Sequence, residues 1–408
     1  MGLFNRGNRR QDSDNANDDS PENKKAKGGW KRPANTAFKQ QRLKAWQPIL
    51  TPKTVLPTFF IVAILFAPIG GLLIWGSSLV TEITLDYTEC ENLAAATSLD
   101  GLQFSQLPTN RYSYRLRAKD SGSSGSVTAP QYALLNNTGN SSVTNVQQEI
   151  ECHLQFDIPA DLQQSVLFYY RLSNFFQNHR RYVKSYNTDQ LSGEAVSAKD
   201  LENSDCKPLA SIDGKPVYPC GLIANSLFND TFSNLRLLNP PGNAADQTEY
   251  ILSDKNIAWP GERKKYVDTP GYDFSAIVPP PNWAKRYPNN YTNENPPPNL
   301  RDDQRFQNWM RTAGLPTFSK LYGRNDTVTL SKGRYEVIIG LNYPVQKYKG
   351  TKSIVISTVS WIGGKNPFLG WAYVAASGVF IVLAVAGTVR HLVRPRRLGD
   401  MSLLSWNR

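Results

Sequence analysis

Two long apolar runs stand out in the pattern of hydrophobic and polar positions along the chain. Residues 55–76 and 368–389 each contain 22 consecutive residues without a charge. A helix of that length is about 33 Å long, enough to cross the roughly 30 Å hydrocarbon core of a bilayer. The pattern therefore predicts two transmembrane helices. The first run is too long and begins too far into the chain for a cleaved signal peptide, so we expect an uncleaved signal anchor.

The long segment between the two runs has a different pattern. Mainly apolar residues recur at every second position in four stretches: residues 112–116, 152–158, 335–343 and 355–361. A period of two is typical of half-buried strands. The apolar run 166–170 indicates a more buried strand, and residues 306–310 have the i, i+3, i+4 spacing of a short helix. We predict a membrane protein whose two transmembrane helices flank a large, mainly antiparallel, sandwich-like β domain with a few short helices.

These patterns divide the chain into six segments. In order, they are a disordered cytosolic tail, a basic juxtamembrane segment, the first span, a lumenal or extracellular β-rich domain, the second span and a second cytosolic tail: residues 1–34, 35–54, 55–76, 77–367, 368–389 and 390–408. The first tail is polar and lacks the apolar residues that a core requires. Within the β-rich domain, residues 119–149 are rich in Ser, Gly and Asn, which predicts a glycosylated loop.

The distribution of charge sets the expected orientation. The net charge is +12, and residues 1–54 and 390–408 together carry +11 of it. Lys and Arg near the ends of transmembrane helices are enriched on the cytosolic side. We therefore expect both termini in the cytosol and residues 77–367 in the lumen or outside the cell. Charge confined to the tails in this way does not indicate a nucleic-acid partner.

Cysteines and glycosylation sequons agree with this orientation. All four cysteines lie in the insert, an even number as disulfides require: Cys90, Cys152, Cys206 and Cys220. Four cysteines allow three pairings, of which we favour the sequential one. All five N-x-S/T sequons lie there too: Asn136, Asn140, Asn229, Asn290 and Asn325. The alternative is a cytosolic insert with free thiols and chance sequons, which the charge asymmetry disfavours.

Two groups of residues are candidates for contacts with a partner. Phe38, Arg42 and Trp46 belong to a basic, aromatic stretch before the first span. That stretch is a helix on anionic headgroups, a docking segment for a cytosolic partner or an ordinary basic flank. In the spans, Gly70 and Gly71 and then Ala376 and Gly378 are small enough to admit a neighbouring helix. Neither span contains an ionisable residue, which disfavours a transport path within this chain.

Catalytic chemistry is not indicated by the sequence. It has only three histidines and no P-loop, no H-E-x-x-H, no paired C-x-x-C, no G-x-S-x-G and no G-x-G-x-x-G motif. His179 with Arg180 and Arg181 forms an anion-binding cluster or, more simply, a charged surface. We expect neither a cofactor nor an enzymatic activity.

Six stretches carry a resemblance to one family: NTAFKQQRLKAWQPILTPKTVLP (35–57), NHRRYVKSY (178–186), YPCGLIANSLFNDTF (218–232), IVPPPNWAKRYP (277–288), FQNWMRTAG (306–314) and GGKNPFLG (363–370). The chain resembles the ligand-effect-modulator/cell-division-cycle family of eukaryotic membrane proteins from about residue 35 to residue 390. Residues 119–149 are the least family-like part.

The resemblance implies a function that residue patterns alone do not name. Members of this family are β-subunits of type IV P-type ATPases, ten-span pumps that move phospholipids from the lumenal or outer leaflet to the cytosolic leaflet. The β-subunit lets the pump leave the endoplasmic reticulum and supports its reaction cycle without hydrolysing ATP. The resemblance also implies an ectodomain with N-linked glycans, membrane phospholipids as partners of the protein, and the disulfides Cys90–Cys152 and Cys206–Cys220.

Two other classes of protein were weighed against this interpretation. A two-span, ligand-gated ion channel subunit shares the topology, but such ectodomains carry many more cysteines and a pore needs polar lining residues. A lumenal glycan-processing enzyme needs clustered catalytic carboxylates, and the adjacent pair Asp302-Asp303 has the character of a helix start. The sequence leaves open which pump and which phospholipid are involved. It also leaves open whether the chain resides in the endoplasmic reticulum, the Golgi or endosomes, or the plasma membrane.

Overall fold

A computed structural model describes residues 36–43, 50–120, 122, 127–139, 145–240 and 249–395. The predicted disordered tail at 1–34, Trp46, Asn140 and most of the second tail lie outside these residues. The chain divides into two units, residues 1–55 and 56–408. In the first unit, residues 37–41 form a turn, and the Phe38 side chain is 76% exposed.

The described residues contain seven α-helices and fifteen strands. The helices are α1 Pro52–Ser78, α2 Arg180–Val183, α3 Thr188–Ser192, α4 Ala198–Glu202, α5 Leu222–Asn225, α6 Gln304–Met310 and α7 Phe368–Val393. The strands are β1 Glu82–Asp86, β2 Ala95–Ala96, β3 Ser105–Gln106, β4 Tyr112–Arg115, β5 Gln131–Asn136, β6 Ile150–Ile158, β7 Val166–Leu172, β8 Ser211–Ile212, β9 Lys215–Pro216, β10 Thr231–Phe232, β11 Leu235–Leu237, β12 Glu249–Tyr250, β13 Phe318–Asn325, β14 Gly333–Gly340 and β15 Lys352–Thr358.

Two large sheets make up most of the β-rich domain, and β8 and β9 pair in a small third sheet. One has the strand order β13-β7-β15-β1-β4, and all its pairs are antiparallel. The other has the order β12-β11-β14-β6-β5-β2, antiparallel except for the β2–β5 pair. Side chains from both sheets, such as Phe168 and Ile354 from the first and Phe156 and Val337 from the second, share one hydrophobic core. The predicted sandwich-like fold with a few short helices is therefore confirmed.

The sequence pattern located several of the longer strands and missed others, among them β5 and β13. In β6, the residues Cys152, Leu154, Phe156 and Ile158 are buried on one face, as the alternation predicts. The prediction of a loop across residues 119–149 was wrong in part, because β5 (Gln131–Asn136) lies inside it. Four consecutive residues of β5 are buried, so this strand has no period of two to detect.

The two disulfides join the pairs that the sequence analysis favoured. Cys90 follows β1 and is bonded to Cys152 in β6, so this disulfide ties one sheet to the other. Cys206 and Cys220 close a loop with a sequence separation of 14. In the chain-entropy model, a loop of about 15 residues contributes about 3 kcal/mol by restricting the unfolded chain.

Both long helices exceed the predicted spans. Helix α1 begins before residue 55 and ends after residue 76, and α7 continues beyond residue 389. Both are long and apolar enough to cross a membrane. Helix α1 runs through Pro68 without ending, a feature that transmembrane helices tolerate where neighbours satisfy the freed backbone. The chain is an integral membrane protein with two such helices.

The helices are attached to the two central strands of the first sheet. Helix α1 leads into β1, and β15, which is hydrogen-bonded to β1, leads toward α7. At the junction, the backbone N–H of Thr81 donates to the Thr358 hydroxyl at 3.0 Å. The backbone N–H of Thr358 donates to the Thr81 carbonyl, also at 3.0 Å. The β domain is thus held to the helix pair at adjacent points. The ends of β7 and β15 at Leu172 and Lys352 lie at the opposite, membrane-distal end.

Candidate partner-binding surface

The two long helices pack against each other in antiparallel orientation. The contacts run from Gly70 beside Gly370 and Val374, through the Ser377 hydroxyl donating to the Ala63 carbonyl at 2.9 Å, to Leu56 beside Gly387. Aromatic side chains fill the space between these points, with the Phe66 and Tyr373 ring centroids 5.0 Å apart.

Glycine is required where the helices come closest. A Cβ added to Gly70 would lie 2.9 Å from the carbonyl oxygen of Gly370, and a Cβ on Gly370 would lie 2.6 Å from Ile74. These distances are shorter than carbon atoms tolerate, so the backbones approach only because both positions lack a side chain. Gly70, which the sequence analysis placed in the contact with a partner, therefore supports the contact between the chain's own helices.

The neighbouring candidates have different surroundings. A Cβ on Gly71 or on Gly378 would meet no atom within 4 Å in the described part of the chain. Each residue directly follows a contact residue, Gly70 in one helix and Ser377 in the other. Because the helices are antiparallel and each residue turns by 100°, both glycines lie on the same side of the pair, roughly 13 Å apart in depth. Ala376 is half-buried.

A short segment after β15 packs against the ends of the two long helices that adjoin the β domain. Trp361 and Ile362 pack on Gly76, where an added Cβ would lie 3.1 Å from Ile362 and 3.2 Å from Trp361. The Lys365 ammonium donates to the carbonyl of Val80 at 2.7 Å and to that of Leu116 at 3.2 Å. Burial lowers the pKa of Lys365. These contacts fix how the β domain is joined to α1 and α7.

The juxtamembrane candidates stay predictions. Phe38 and Arg42 are exposed in the described residues 36–43. An exposed aromatic and an exposed cation agree equally with a docking segment, a headgroup-binding segment and a basic flank, so all three interpretations remain open.

Three of the six family-like motifs meet at one cavity in the β domain. The cavity has a volume of about 450 Å³. Its walls come from the motifs at 218–232, 277–288 and 306–314 and from β13, and the residues are Leu227, Phe228, Asn229, Asp230, Thr231, Asn282, Trp283, Lys285, Arg286, Phe306 and Tyr322, among others. The Arg305 guanidinium lies over the Tyr322 ring at 3.7 Å from its centroid. This convergence was not predicted, because no pattern in the sequence indicates that distant motifs meet.

Beside this cavity lies a buried ion pair that the sequence analysis also missed. Lys352 Nζ lies 3.0 Å from Asp230 Oδ2, and their side chains are 1% and 0% exposed. The Tyr87 hydroxyl donates to the same carboxylate at 2.9 Å. Burial and the Asp230 charge raise the pKa of Tyr87 well above its usual value. The only sequence signal was that Asp230 lies within the motif LFNDTF.

The β domain contains two histidines, His153 and His179. In the described ranges, no three His, Cys, Asp or Glu side chains come together as a metal site would require. His153 is buried beside Glu336, with Nδ1 3.4 Å from Oε1. Although burial alone would raise the pKa of Glu336, hydrogen bonds from His153 and Gln155 and the charge of Arg236 lower it. His179 follows the membrane-distal end of β7, which disfavours a role at lipid headgroups.

Four of the five sequons lie in the described residues. Asn136 and Asn290 are exposed, whereas Asn229 and Asn325 are half-buried. Asn136 ends β5, Asn325 ends β13, and Asn229 lies between α5 and β10. Whether they are glycosylated stays a prediction.

Known proteins resemble this chain over nearly its whole length. The model of the LEM3 (ligand-effect modulator 3) family / CDC50 family matches residues 73–397. The phospholipid-transporting ATPase accessory subunit CDC50 of Chaetomium thermophilum is 40% identical over 405 residues, which cover 97% of this chain and 94% of that protein. The phospholipid-transporting ATPase accessory subunit CRF1 of Saccharomyces cerevisiae is 41% identical over 377 residues, which cover 92% of this chain and 89% of that protein. Cell cycle control protein 50A of Bos taurus is 39% identical over 366 residues, which cover 87% of this chain and 88% of that protein. The chain therefore belongs to the LEM3/CDC50 family of membrane proteins.

Proposed function

We propose that this protein is the non-catalytic β-subunit of a phospholipid flippase. It binds a type IV P-type ATPase as a heterodimer and is needed for the folding, endoplasmic-reticulum exit and activity of that pump. The observation that carries the proposal is the identity of about 40% over 92–97% of the chain to proteins named phospholipid-transporting ATPase accessory subunits. The same relatives argue against a ligand-gated channel subunit.

The expected mechanism is stabilisation by binding. A partner that binds only the folded pump lowers the free energy of the folded state by mass action. Helices α1 and α7 pack against each other at Gly70 and Gly370, so the pump binds them as a preformed pair. We infer that the pump helix packs on the side of this pair that carries Gly71 and Gly378, while the β domain covers the pump's lumenal loops.

The orientation follows from the charge distribution. Both termini are cytosolic and the β domain lies in the lumen or outside the cell, because the excess positive charge is concentrated in the tails. The disulfides, which form in oxidising compartments, support the same orientation. The chain is then a glycoprotein of the endoplasmic reticulum, of the Golgi or endosomes, or of the plasma membrane.

Affinity purification of the tagged chain in mild detergent tests the proposal. We expect one P-type ATPase with about ten spans to be recovered in a one-to-one ratio, and its phosphoenzyme formation to depend on this chain. A homo-oligomer without an ATPase would contradict the proposal and would direct attention to conductance in lipid bilayers.

A further inference from the structure

The sequon at Asn229 differs from the others in its position. Asn229 lines the cavity of about 450 Å³ where the three motifs meet and also a second cavity of about 290 Å³ on its other side. The two cavities share Asn229, Leu227, Asn282 and Asn342 as lining residues. The side chain that would carry a glycan is therefore at the junction of two concave surfaces, whereas Asn136 and Asn290 are exposed.

The amide of Asn229 is not engaged by its neighbours. Its Oδ1 is buried without a hydrogen-bond partner, and its Nδ2 donates to no group in the described ranges. By contrast, Asn325 Nδ2 donates to the Ile251 carbonyl at 2.9 Å, and Asn325 Oδ1 accepts from the backbone of Thr327 at 3.0 Å. The Nδ2 atom to which a glycan is attached is therefore not held by a hydrogen bond to the described part of the protein.

The larger cavity has the chemistry of a saccharide site. Its floor is aromatic and buried, and it consists of Phe228, Trp283, Phe306 and Tyr322. Its rim is polar and exposed, and it includes Asn282, Lys285, Arg286, Arg305 and Asp254. The edges of Phe228 and Trp283 offer apolar surface to the C–H groups of a sugar ring, whereas the Tyr322 ring is covered by Arg305. The amide, carboxylate and guanidinium groups of the rim pair with sugar hydroxyls. Binding sites for small polar ligands commonly combine such a floor with a few polar groups.

We propose that the N-acetylglucosamine core of a glycan on Asn229 lies in this cavity as a fixed part of the β domain. Asn229 itself lines the cavity, so a sugar attached to it is held at high effective concentration and needs little intrinsic affinity. The glycan then covers the surface above the buried Asp230–Lys352 pair and braces the motifs at 218–232, 277–288 and 306–314 against one another. The inference rests on the lumenal orientation proposed above.

Site-resolved deglycosylation of the full chain in detergent tests the inference. Peptide:N-glycosidase hydrolyses the Asn–glycan amide and converts Asn to Asp, and ¹⁸O-labelled water marks each released site for mass spectrometry. In the native protein, we expect the Asn229 glycan to be released at least tenfold more slowly than those at Asn136 and Asn290. After denaturation and reduction, all sites should react at similar rates. Native release at Asn229 as fast as at Asn290, or an unmodified Asn229 beside occupied Asn136 and Asn290, would overturn the inference.

A cavity-filling variant gives a second, independent measurement. Asn282→Trp keeps the sequon intact and places an indole at the shared rim of both cavities. We expect the Asn229 glycan to lose its protection and to be released at the rate of the Asn290 glycan, whose own rate is unchanged. Retained protection would show that something other than the cavity shields the site. If no sequon carries a glycan, the lumenal orientation itself fails, an outcome that differs from failure of the cavity inference alone.

Discussion

Lys352 and Asp230 form an ion pair that is closed off from solvent, with Nζ 3.0 Å from Oδ2. The remaining hydrogen-bonding capacity of both groups is also used. Asp230 Oδ1 accepts from the backbone N–H groups of Asn342 and Tyr343 at 2.6 Å each, and Lys352 donates to the Tyr343 carbonyl at 3.0 Å. The network joins the start of β15 to the motif at 218–232 and to the chain after β14.

We expect Lys352→Met to destabilise the β domain by about 3–5 kcal/mol, because it leaves a carboxylate buried without its counter-charge. Asp230→Asn should cost a similar amount, and it preserves the sequon at Asn229. The double variant should recover part of either loss, since neither charge then remains unpaired. Chemical denaturation followed by tryptophan fluorescence measures these differences. A loss below about 1 kcal/mol in both single variants would show that the pair is not structurally important.

The sequence predicted those parts of the fold that repeat a simple period. The strands β6 and β14 were found because apolar residues recur at every second position along each, and the helices α1 and α7 were found from uninterrupted apolar runs. β5 was missed because its buried residues are consecutive.

The candidate site was less predictable, because it depends on which distant residues meet. The small size of Gly70 was visible in the sequence, but its neighbour, Gly370, lies 300 positions away. Likewise, nothing near Asp230 in the sequence points to Lys352. Tertiary packing determines which distant residue a small or charged residue contacts. Local propensity and periodicity contain no information about such contacts.

The contact between α1 and α7 predicts opposite outcomes for two adjacent glycines. Gly70→Ala should lower the apparent melting temperature of the purified chain by several degrees, because the new methyl group would lie 2.9 Å from the Gly370 carbonyl. Gly71→Ala should be neutral or stabilising, since its methyl group meets nothing within 4 Å and alanine is favoured over glycine in a helix by up to about 1 kcal/mol. Detergent-solubilised samples heated and then resolved by size-exclusion chromatography provide the comparison. Equal melting temperatures for the two variants would contradict the observed packing.

The proposed pump-facing side predicts a different effect for larger side chains. Gly71→Leu and Gly378→Leu should reduce recovery of the P-type ATPase at least several-fold while leaving the melting temperature of the isolated chain unchanged. The reason is that both positions are open within this chain but close to a neighbouring helix in the complex. Ala372→Leu is the matched control, because Ala372 is exposed in α7 and, six residues before Gly378, points about 120° away from it around the helix. Full recovery with both glycine variants would move the pump contact to another face.

Lys320 predicts how the stability of the β domain varies with pH. This lysine is buried, and its ammonium donates to the carbonyls of Asn308 and Arg311 at the end of α6. Burial, together with the nearby Arg311 charge, lowers its pKa from the usual 10.5 to about 8. Between pH 8 and 10.5, the unfolded chain therefore binds a proton at this side chain that the folded chain has released.

The free energy of unfolding therefore rises with pH between pH 8 and 10.5, by at most about 1.4 kcal/mol per pH unit. Below pH 8 this contribution to stability is lost, because both states then bind the proton. The measurement should stay between pH 8 and 9.5, because tyrosines such as Tyr182, whose pKa burial raises to about 12, favour unfolding at higher pH. Lys320→Met should flatten the rise in unfolding free energy, whatever its effect at pH 8, whereas Lys332→Met, at an exposed lysine, should leave the slope unchanged. An identical slope in the wild-type chain and Lys320→Met would show that Lys320 keeps its proton in the folded protein. In that case the three carbonyls at the end of α6, including that of Trp309, would hold the ammonium in its charged form despite burial.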